Sequence, residues 1–141
     1  MYLLDVNVFI YAHREELEKH KTSAEFLSKL VNSPSRFAIS ELALSGFVRI
    51  VTNSSIFKPA TKVKTAISFC DSLLEVDNSV RLRPGEDHFD IFTNLLDKYS
   101  LKGKLVADAY HAALAIEYGC TWVTYDSDYA RFKDELRYKL L

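Results

Sequence analysis

The stretch that decides the fold is Met1-Tyr2-Leu3-Leu4-Asp5-Val6-Asn7-Val8-Phe9-Ile10-Tyr11, an apolar run with one carboxylate and one amide. A short apolar run of strand formers predicts a buried strand. Aspartate is disfavoured inside a strand, so we expect Asp5 where the strand ends and the chain turns. An unpaired carboxylate in these surroundings loses its water, so Asp5 needs something that binds it. In an open α/β sheet, this carboxyl end is where ligands bind.

The composition indicates an ordinary folded chain, with 141 residues, of which 48% are hydrophobic and 26% charged. This length fits one domain with a substantial core, so we expect residues 1–141 to form a single domain. The net charge is −1, and the chain therefore lacks the basic field that non-specific nucleic-acid binders often carry. Composition alone does not indicate a nucleic-acid partner.

The chain carries few signals of an extracellular or membrane protein. Only Cys70 and Cys120 are present, far apart, which argues against a disulfide framework or a zinc site. No apolar stretch approaches the roughly 20 residues of a membrane span. No basic region followed by a long apolar one marks a secretory signal. We therefore expect no membrane association and a reducing, cytoplasmic location.

Strand-like and helix-like segments alternate along the rest of the chain. Strands are expected at 37–39, 80–82 and 122–124, with an edge strand at 136–140. Helices are expected at 7–11 with an Asn7 cap, at 15–31, at 41–51 after a Ser40 cap and largely buried, at 63–74 with a Thr61 cap, at 89–99 and at 105–118, with a helical turn at 129–132. The alternation predicts an α/β domain with a mainly parallel sheet and helices on both faces.

Four of the nineteen acids stand apart, because each lies near a predicted strand end or in the first turn of a helix with apolar flanks. They are Asp5, Glu41, Asp108 and Asp126. Taken singly, Glu41 and Asp108 fit acids favoured by the helix dipole, and Asp126 fits a turn. Strand ends gather at one edge of a doubly wound sheet, so the four carboxylates are expected to converge there. Convergent carboxylates repel unless protons or a hard cation neutralise them.

The ligand chemistry of this group favours a hard divalent cation. No histidine or cysteine joins the acids in a zinc-like spacing, and ligation by oxygen alone suits Mg²⁺ or Mn²⁺. Such a site activates a water and stabilises the charge of an in-line phosphoryl displacement. Hydrolysis of a phosphodiester bond is therefore the chemistry that the residues predict.

Four motifs in order resemble the PIN-domain family, and within it the VapC-type ribonuclease toxins of toxin–antitoxin modules. They are Leu4-Asp5-Val6-Asn7, Ser40-Glu41-Leu42, the segment 105–115, and Val123-Thr124-Tyr125-Asp126-Ser127-Asp128-Tyr129 followed by Phe132. The segment 45–53 also resembles one branch of that family. The resemblance runs from end to end and implies a PIN-like three-layer α/β/α fold. One departure is Ala107, where relatives often carry a hydroxyl.

The resemblance also implies the activity, the cofactor and the site. We expect an endoribonuclease that depends on Mg²⁺ or Mn²⁺ and cuts structured cellular RNA, such as tRNA or ribosomal RNA. The catalytic acids implied are Asp5, Glu41, Asp108 and Asp126, with Asp5, Asp108 and Asp126 as metal ligands. The outer site implied comprises Asn7 and Thr124, which orient a carboxylate or a water, and Asp128, which fits a turn or cap equally well.

Further expectations concern partners and residues around the site. Candidate RNA contacts are Lys102, Lys104 and Arg49. His111 is interpreted as a packing or surface residue, whereas Tyr11 and Tyr125 are candidates for stacking on a base. The family resemblance implies a homodimer and a VapB-like antitoxin, whose arginine would imitate the charge of the cation among the acids.

Three other functions fit parts of the pattern. A haloacid-dehalogenase-like phosphatase normally needs a second aspartate two residues after the first, and here that position is Asn7. A phosphoacceptor receiver domain expects adjacent acids after its first strand and a late strand-end lysine, and neither is found. A catalytically inactive PIN-fold module that binds RNA or protein is the remaining alternative, and metal-dependent cleavage discriminates it directly.

Overall fold

The predicted strands pair side by side in one parallel sheet. A computed structural model describes residues 1–141. The strands are β1 (Tyr2–Leu4), β2 (Phe37–Ser40), β3 (Ser79–Leu82), β4 (Thr121–Thr124) and β5 (Tyr138–Leu140). Their order across the sheet is β3-β2-β1-β4-β5, and every neighbouring pair is parallel. Because the strands are parallel, all their carboxyl ends lie at the same edge.

Helices cover both faces of the sheet and complete a three-layer α/β/α fold. They are α1 (Val6–His13), α2 (His20–Val31), α3 (Glu41–Val51), α4 (Val63–Leu74), α5 (His88–Lys98) and α6 (Leu105–Glu117), with a 3₁₀ helix at Ser127–Phe132. Successive strand residues point to opposite faces, so Leu4 joins the core under α1 to α4 and Leu3 joins the core under α5 and α6. The predicted α/β class is confirmed.

Three details of the predicted helices are wrong. Asn7 does not cap α1; Asp5 does, since its carboxylate accepts from the Val6 amide. Thr61 does not cap α4, which begins after Lys62 without a side-chain cap, and the Thr61 hydroxyl instead accepts from Arg14. Helix α3 is not largely buried: only one of its faces is buried, and Leu42 exposes 44% of its surface.

The second predicted helix begins five residues too early. The structure begins α2 at His20, and the chain before it reverses through turns in which Leu17 donates to the Arg14 carbonyl. The His20 imidazole forms a hydrogen bond with the Tyr11 carbonyl at 3.0 Å, which holds the start of α2 beside α1. The pattern of helix-forming residues at 15–19 could not reveal this tertiary constraint.

Two features of the longest helix agree with the sequence. Helix α6 packs its alanines into the core, and Gly119 follows its end at a φ of +60°, a conformation that glycine adopts without strain.

None of the helices combines the length and apolar character needed to cross a membrane.

Candidate metal centre and active site

Asp5 lies buried at the carboxyl end of β1, with 7% of its surface exposed. One of its oxygens, Oδ1, accepts from the Val6 amide at 2.6 Å, which caps α1. The other, Oδ2, accepts from the Thr124 hydroxyl and from the Asn7 side-chain amide at 2.9 Å. These three donors fix the carboxylate in one orientation.

Thr124 and Asn7 join the ends of β1 and β4. The fully buried Thr124 hydroxyl donates to Asp5 and accepts from the Asn7 side chain at 3.1 Å and from the Asp126 amide at 3.0 Å. The Asn7 side-chain oxygen accepts from the Tyr125 amide at 3.3 Å. The structure thus places both residues against Asp5, in positions that orient a carboxylate.

Asp108 and Asp126 line the same cavity as Asp5, and we call it the acid cavity. Asp108 lies in the first turn of α6, and Asp126 caps the 3₁₀ helix by accepting from the Asp128 amide at 2.8 Å. The acid cavity has a volume of about 360 Å³. Its lining residues are Asp5, Val6, Asn7, Ile10, Leu42, Ser45, Gly46, Arg49, Ile50, Ala107, Asp108, His111, Asp126 and Tyr129.

Burial and mutual repulsion make this cavity unfavourable for negative charge. Burial, which outweighs the hydrogen bonds from Thr124 and Val6, raises the pKa of Asp5 to about 6, and the charges of Asp108 and Asp126 add to the rise. Burial, followed by the charge of Asp126, also raises the pKa of Asp108. A cation in the cavity would offset both effects, because it favours the ionised carboxylates.

The donors of the acid cavity fit an open site for a hard cation. Carboxylates and an amide are the ligand types that suit Mg²⁺ or Mn²⁺. No three carboxylates, imidazoles or thiols lie close enough to hold one ion between them. An ion bound here would therefore take further ligands from water or substrate, which is usual for Mg²⁺.

Glu41 does not join the acid cavity, in contrast to the expected convergence of four acids. Its side chain is exposed, and Oε1 accepts from Arg83 at 2.7 Å and from Arg81 at 3.3 Å. The hydrogen bond from Arg83, which is the largest effect, lowers the pKa of Glu41. Glu41 begins α3 after the Ser40 cap, so it lies at the same edge of the sheet, but the two arginines draw its carboxylate towards β3.

Of the other predicted site residues, only one lines the acid cavity. Arg49 does so, and it is exposed and makes no ion pair in the structure. Asp128 is exposed beside Arg131, although its charge still raises the pKa of Asp108. Lys102 and Lys104 are exposed in the loop before α6.

Tyr11 and Tyr125, predicted as stacking candidates, are both half-buried and contact each other. Their rings meet edge to face with centroids 5.0 Å apart. The Lys19 ammonium lies 4.6 Å from the centroid of the Tyr125 ring, and the Tyr125 hydroxyl bonds Ser23 at 2.7 Å. Both rings therefore already have packing partners.

Tyr129, Gly46 and His111 are among the residues of the acid cavity that were not predicted from the sequence as part of the site. Tyr129 is buried, and its pKa is raised well above the usual value by burial and by Asp5, Asp108 and Asp126. It follows Asp126 by three positions on a helical turn, a spacing that signals a shared face. At Gly46, a Cβ would lie 3.0 Å from Val6 Cγ2, so glycine allows α3 to approach α1. His111, expected to pack or face solvent, is buried against Trp122 and lines the cavity.

The fold and the acid cavity define a class of small α/β proteins that gather acids at the carboxyl edge of a parallel sheet. The sequence model of the PIN-domain family matches residues 2–135 of this chain. The chain therefore belongs to the PIN-domain family.

Curated relatives of this chain carry ribonuclease names. VapC ribonuclease Mb2897 of Mycobacterium bovis and ribonuclease VapC43 of Mycobacterium tuberculosis are each 38% identical over 133 residues, which cover 94% of this chain and 90% of theirs. Ribonuclease VapC25 of Mycobacterium tuberculosis is 31% identical over 132 residues, 94% of this chain and 93% of the relative.

Solved structures with the same fold include VapC20 of Mycobacterium tuberculosis, described as a sarcin–ricin loop cleaving toxin. It matches with a TM-score of 0.71 at 12% identity, over 94% of this chain and 95% of that one. VapBC2 from Rickettsia felis, bound to a DNA fragment from its promoter, matches with a TM-score of 0.68 at 20% identity, over 99% and 97%. At these identities the likeness shows the fold alone.

Proposed function

We propose that this chain is a metal-dependent endoribonuclease, the toxin of a VapBC-type module, which hydrolyses a phosphodiester bond in structured cellular RNA. The observation that carries the proposal is the acid cavity, in which the charge of Asp126 adds to the rise in the pKa of both Asp5 and Asp108. The ribonuclease names of relatives up to 38% identical support the reaction.

The proposed metal ligands are Asp5, Asp108 and Asp126, which would bind the ion either directly or through water molecules. Bound Mg²⁺ or Mn²⁺ supplies a Lewis acid for the scissile phosphate and a water of lowered pKa. Asp5 suits this task because the Val6 amide occupies only one acceptor position of Oδ1, whereas Thr124 and Asn7 occupy Oδ2. Asp126 is held similarly, since Oδ1 accepts from the Asp128 amide at 2.8 Å.

Thr124 and Asn7 act in this proposal by fixing the direction of the Asp5 carboxylate. Their hydrogen bonds also lower the free-energy cost of ionising Asp5, because donors stabilise the charged form. Asp128, which donates its amide to Asp126, is proposed as an outer member of the site.

Positive side chains around the acid cavity are proposed to hold the RNA backbone. Arg49 lines the cavity without an ion-pair partner, so its guanidinium is free to bind a phosphate. Lys102 and Lys104 extend the positive charge on the side of α6. Glu41, held by Arg81 and Arg83 at the same edge, is proposed to act on the substrate rather than on the metal.

The proposed partners follow from the same cavity. A guanidinium from a VapB-like antitoxin fits a cavity of three carboxylates, because it replaces the charge of the cation and forms charge-assisted hydrogen bonds. We also propose a homodimer and action in the cytoplasm, where cellular RNA is available. Light scattering of the purified chain tests the dimer directly.

The experiment that tests the activity is cleavage of total cellular RNA with Mg²⁺, Mn²⁺ or EDTA. Wild type is compared with Asp108→Asn and with Asp71→Asn, a matched change of an exposed acid on α4. We expect discrete cleavage by wild type and Asp71→Asn that requires metal, and none by Asp108→Asn. Equal cleavage by all three proteins, or cleavage in EDTA, would contradict the proposal.

One observation favours a second candidate, a catalytically inactive module that binds RNA or protein. Glu41 lies outside the acid cavity, and no three donors are close enough to hold an ion by themselves. The same cleavage experiment separates the two candidates. RNA binding by wild type without any metal-dependent cleavage would favour the inactive module.

A further inference from the structure

A second cavity of about 340 Å³ lies beside the acid cavity, and we call it the side cavity. Leu42 lines both cavities and exposes 44% of its surface on the ridge between them. Leu82 and Leu114 form an apolar part of the side cavity, and Tyr110 adds an aromatic ring. Neither the motifs nor the proposed metal centre assigns it a role.

The topology places the side cavity one strand away from the proposed metal centre. Leu82 ends β3 opposite Ser40, the last residue of β2, and β2 is the direct neighbour of β1, which ends before Asp5. Neighbouring strands are about 4.8 Å apart. A nucleotide next to the scissile phosphate is therefore within reach of the side cavity.

Charged groups at the rim leave one oxygen available for a ligand. Arg81 and Arg83 both donate to Oε1 of Glu41, whereas Oε2 accepts no hydrogen bond from the protein. The side chain of Arg83 is 66% exposed, which leaves its guanidinium accessible to a planar partner. The rim thus offers an acceptor and a flat cation above an apolar floor.

The ring of Tyr110 is already held in place by its neighbours. Its centroid lies 4.3 Å from that of His88 and 5.4 Å from that of Phe92, both in edge contacts. The buried His88 imidazole is in turn bonded to the Tyr110 carbonyl at 3.0 Å. A ring fixed in this way loses little conformational freedom when a planar group packs on it.

We propose that the side cavity binds the unpaired base of a nucleotide flanking the scissile phosphate. The base packs on Tyr110 and Arg83, and Oε2 of Glu41 accepts from an amino or imino group on its edge. Aromatic rings and arginine planes recognise single-stranded RNA in this manner, with hydrogen bonds to the base edge. The inference rests on the proposed ribonuclease function and adds to it a determinant of base choice.

The test is binding of a labelled ten-nucleotide single-stranded RNA in EDTA, measured by fluorescence anisotropy. The variants are Tyr110→Leu, which keeps apolar bulk, Tyr110→Phe, which keeps the ring, and Arg83→Ala. Arg36→Ala removes one exposed positive charge before β2, at the opposite edge of the sheet, and is the matched control.

Stacking on one aromatic ring accounts for at least about a fivefold change in affinity. We expect that loss in Tyr110→Leu and Arg83→Ala, and wild-type binding in Tyr110→Phe and Arg36→Ala.

The base site is overturned if wild type shows no measurable binding, or if wild type, Tyr110→Leu and Arg83→Ala bind equally. Unchanged RNA binding together with a lost dimer in Tyr110→Leu would assign the side cavity to a protein contact, which also overturns it. Cleavage of the same RNA with Mn²⁺ is measured in parallel. Cleavage without Tyr110-dependent binding leaves the nuclease proposal intact, whereas Tyr110-dependent binding without cleavage supports the base site alone. Arg83 is exposed, so its variant remains informative if Tyr110→Leu unfolds.

Discussion

Two acids at the same edge of the sheet experience opposite surroundings. Asp5 is buried in the acid cavity, where burial and two neighbouring aspartates raise its pKa to about 6. Glu41 is exposed one strand away, where Arg83 and Arg81 lower its pKa. A strand end in this fold therefore does not by itself decide what a carboxylate does. The neighbouring strands decide it.

The two acids differ in what compensates their negative charge. The charge of Asp5 is compensated only when a ligand binds, whereas the charge of Glu41 is paired within the chain. Ionised Asp5 destabilises the fold until a cation or proton compensates it, which is the usual compromise of a functional site. Glu41 has its compensation within the chain, from two arginines, and solvent screens that interaction. The predictions below test this difference.

The largest expected effect is on cleavage, through the acid cavity. Asp108→Asn removes the charge of one proposed metal ligand without changing the shape of the side chain, and we expect cleavage to fall by about 1,000-fold. Rates on a defined RNA with Mn²⁺ measure it, with Asp71→Asn as the control. A loss of less than tenfold would remove Asp108 from the metal centre.

The next effect is on the stability of the metal-free protein. The pKa of Asp5 lies near 3.8 in the unfolded chain and at about 6 in the fold, so the fold binds this proton more tightly. The contribution of Asp5 to stability therefore falls as the pH rises through 6. His111 acts in the opposite direction, because burial lowers its pKa to about 4. Comparing wild type with Asp5→Asn cancels the contribution of His111.

Urea unfolding in EDTA at pH 4 and pH 7 measures this difference. The free energy of unfolding of Asp5→Asn, relative to that of wild type, is expected to be larger by about 2–3 kcal/mol at pH 7 than at pH 4, so the variant is relatively more stable at pH 7. Asparagine remains an acceptable cap for α1, so the variant should fold. Parallel pH dependences of the two proteins would contradict the raised pKa of Asp5.

A smaller effect is expected from the hydroxyl that holds Asp5. Thr124→Val removes the donor to Oδ2 while keeping the shape of the side chain, and we expect about 10–100-fold slower cleavage. Loss of this hydrogen bond raises the pKa of Asp5 further, so the acid limb of the pH–rate profile should move to higher pH. A lower rate with an unmoved profile would limit Thr124 to packing.

The smallest effect is expected at the exposed acid. Glu41→Gln removes the charge that pairs with Arg81 and Arg83, but exposed ion pairs contribute little to stability. We expect an unfolding midpoint in urea that cannot be distinguished from that of wild type. A clear loss of stability would place Glu41 in a buried network and remove the contrast with Asp5.

The sequence predicted what local patterns determine. Asp5 could be found because it is the single carboxylate in an apolar run, and the strands were recognisable from their apolar residues. The direction of the Glu41 side chain could not be found, because it depends on Arg81 and Arg83, which lie 40 and 42 residues further along the chain. Tyr129 was missed because an aromatic residue in a short helical turn has the same pattern whether it fills a core or faces a site.

The helix starts and caps that were wrongly predicted also depend on contacts between distant residues. Residues 15–19 include good helix formers, yet the chain there must reverse so that α1 and α2 can pack. Thr61 is a good capping residue by type, but Arg14 and His13 engage its hydroxyl. In each case a contact between distant residues outweighed a local preference.

The measurement that tests the central claim most directly is Mn²⁺ binding by isothermal titration calorimetry, without RNA. Wild type, Glu41→Gln and Asp71→Asn are expected to bind the ion with similar affinity, whereas Asp108→Asn should lose binding. This result would place the metal centre on the acid cavity and not on Glu41. Equal loss in Glu41→Gln and Asp108→Asn, or no binding by wild type, would contradict the account.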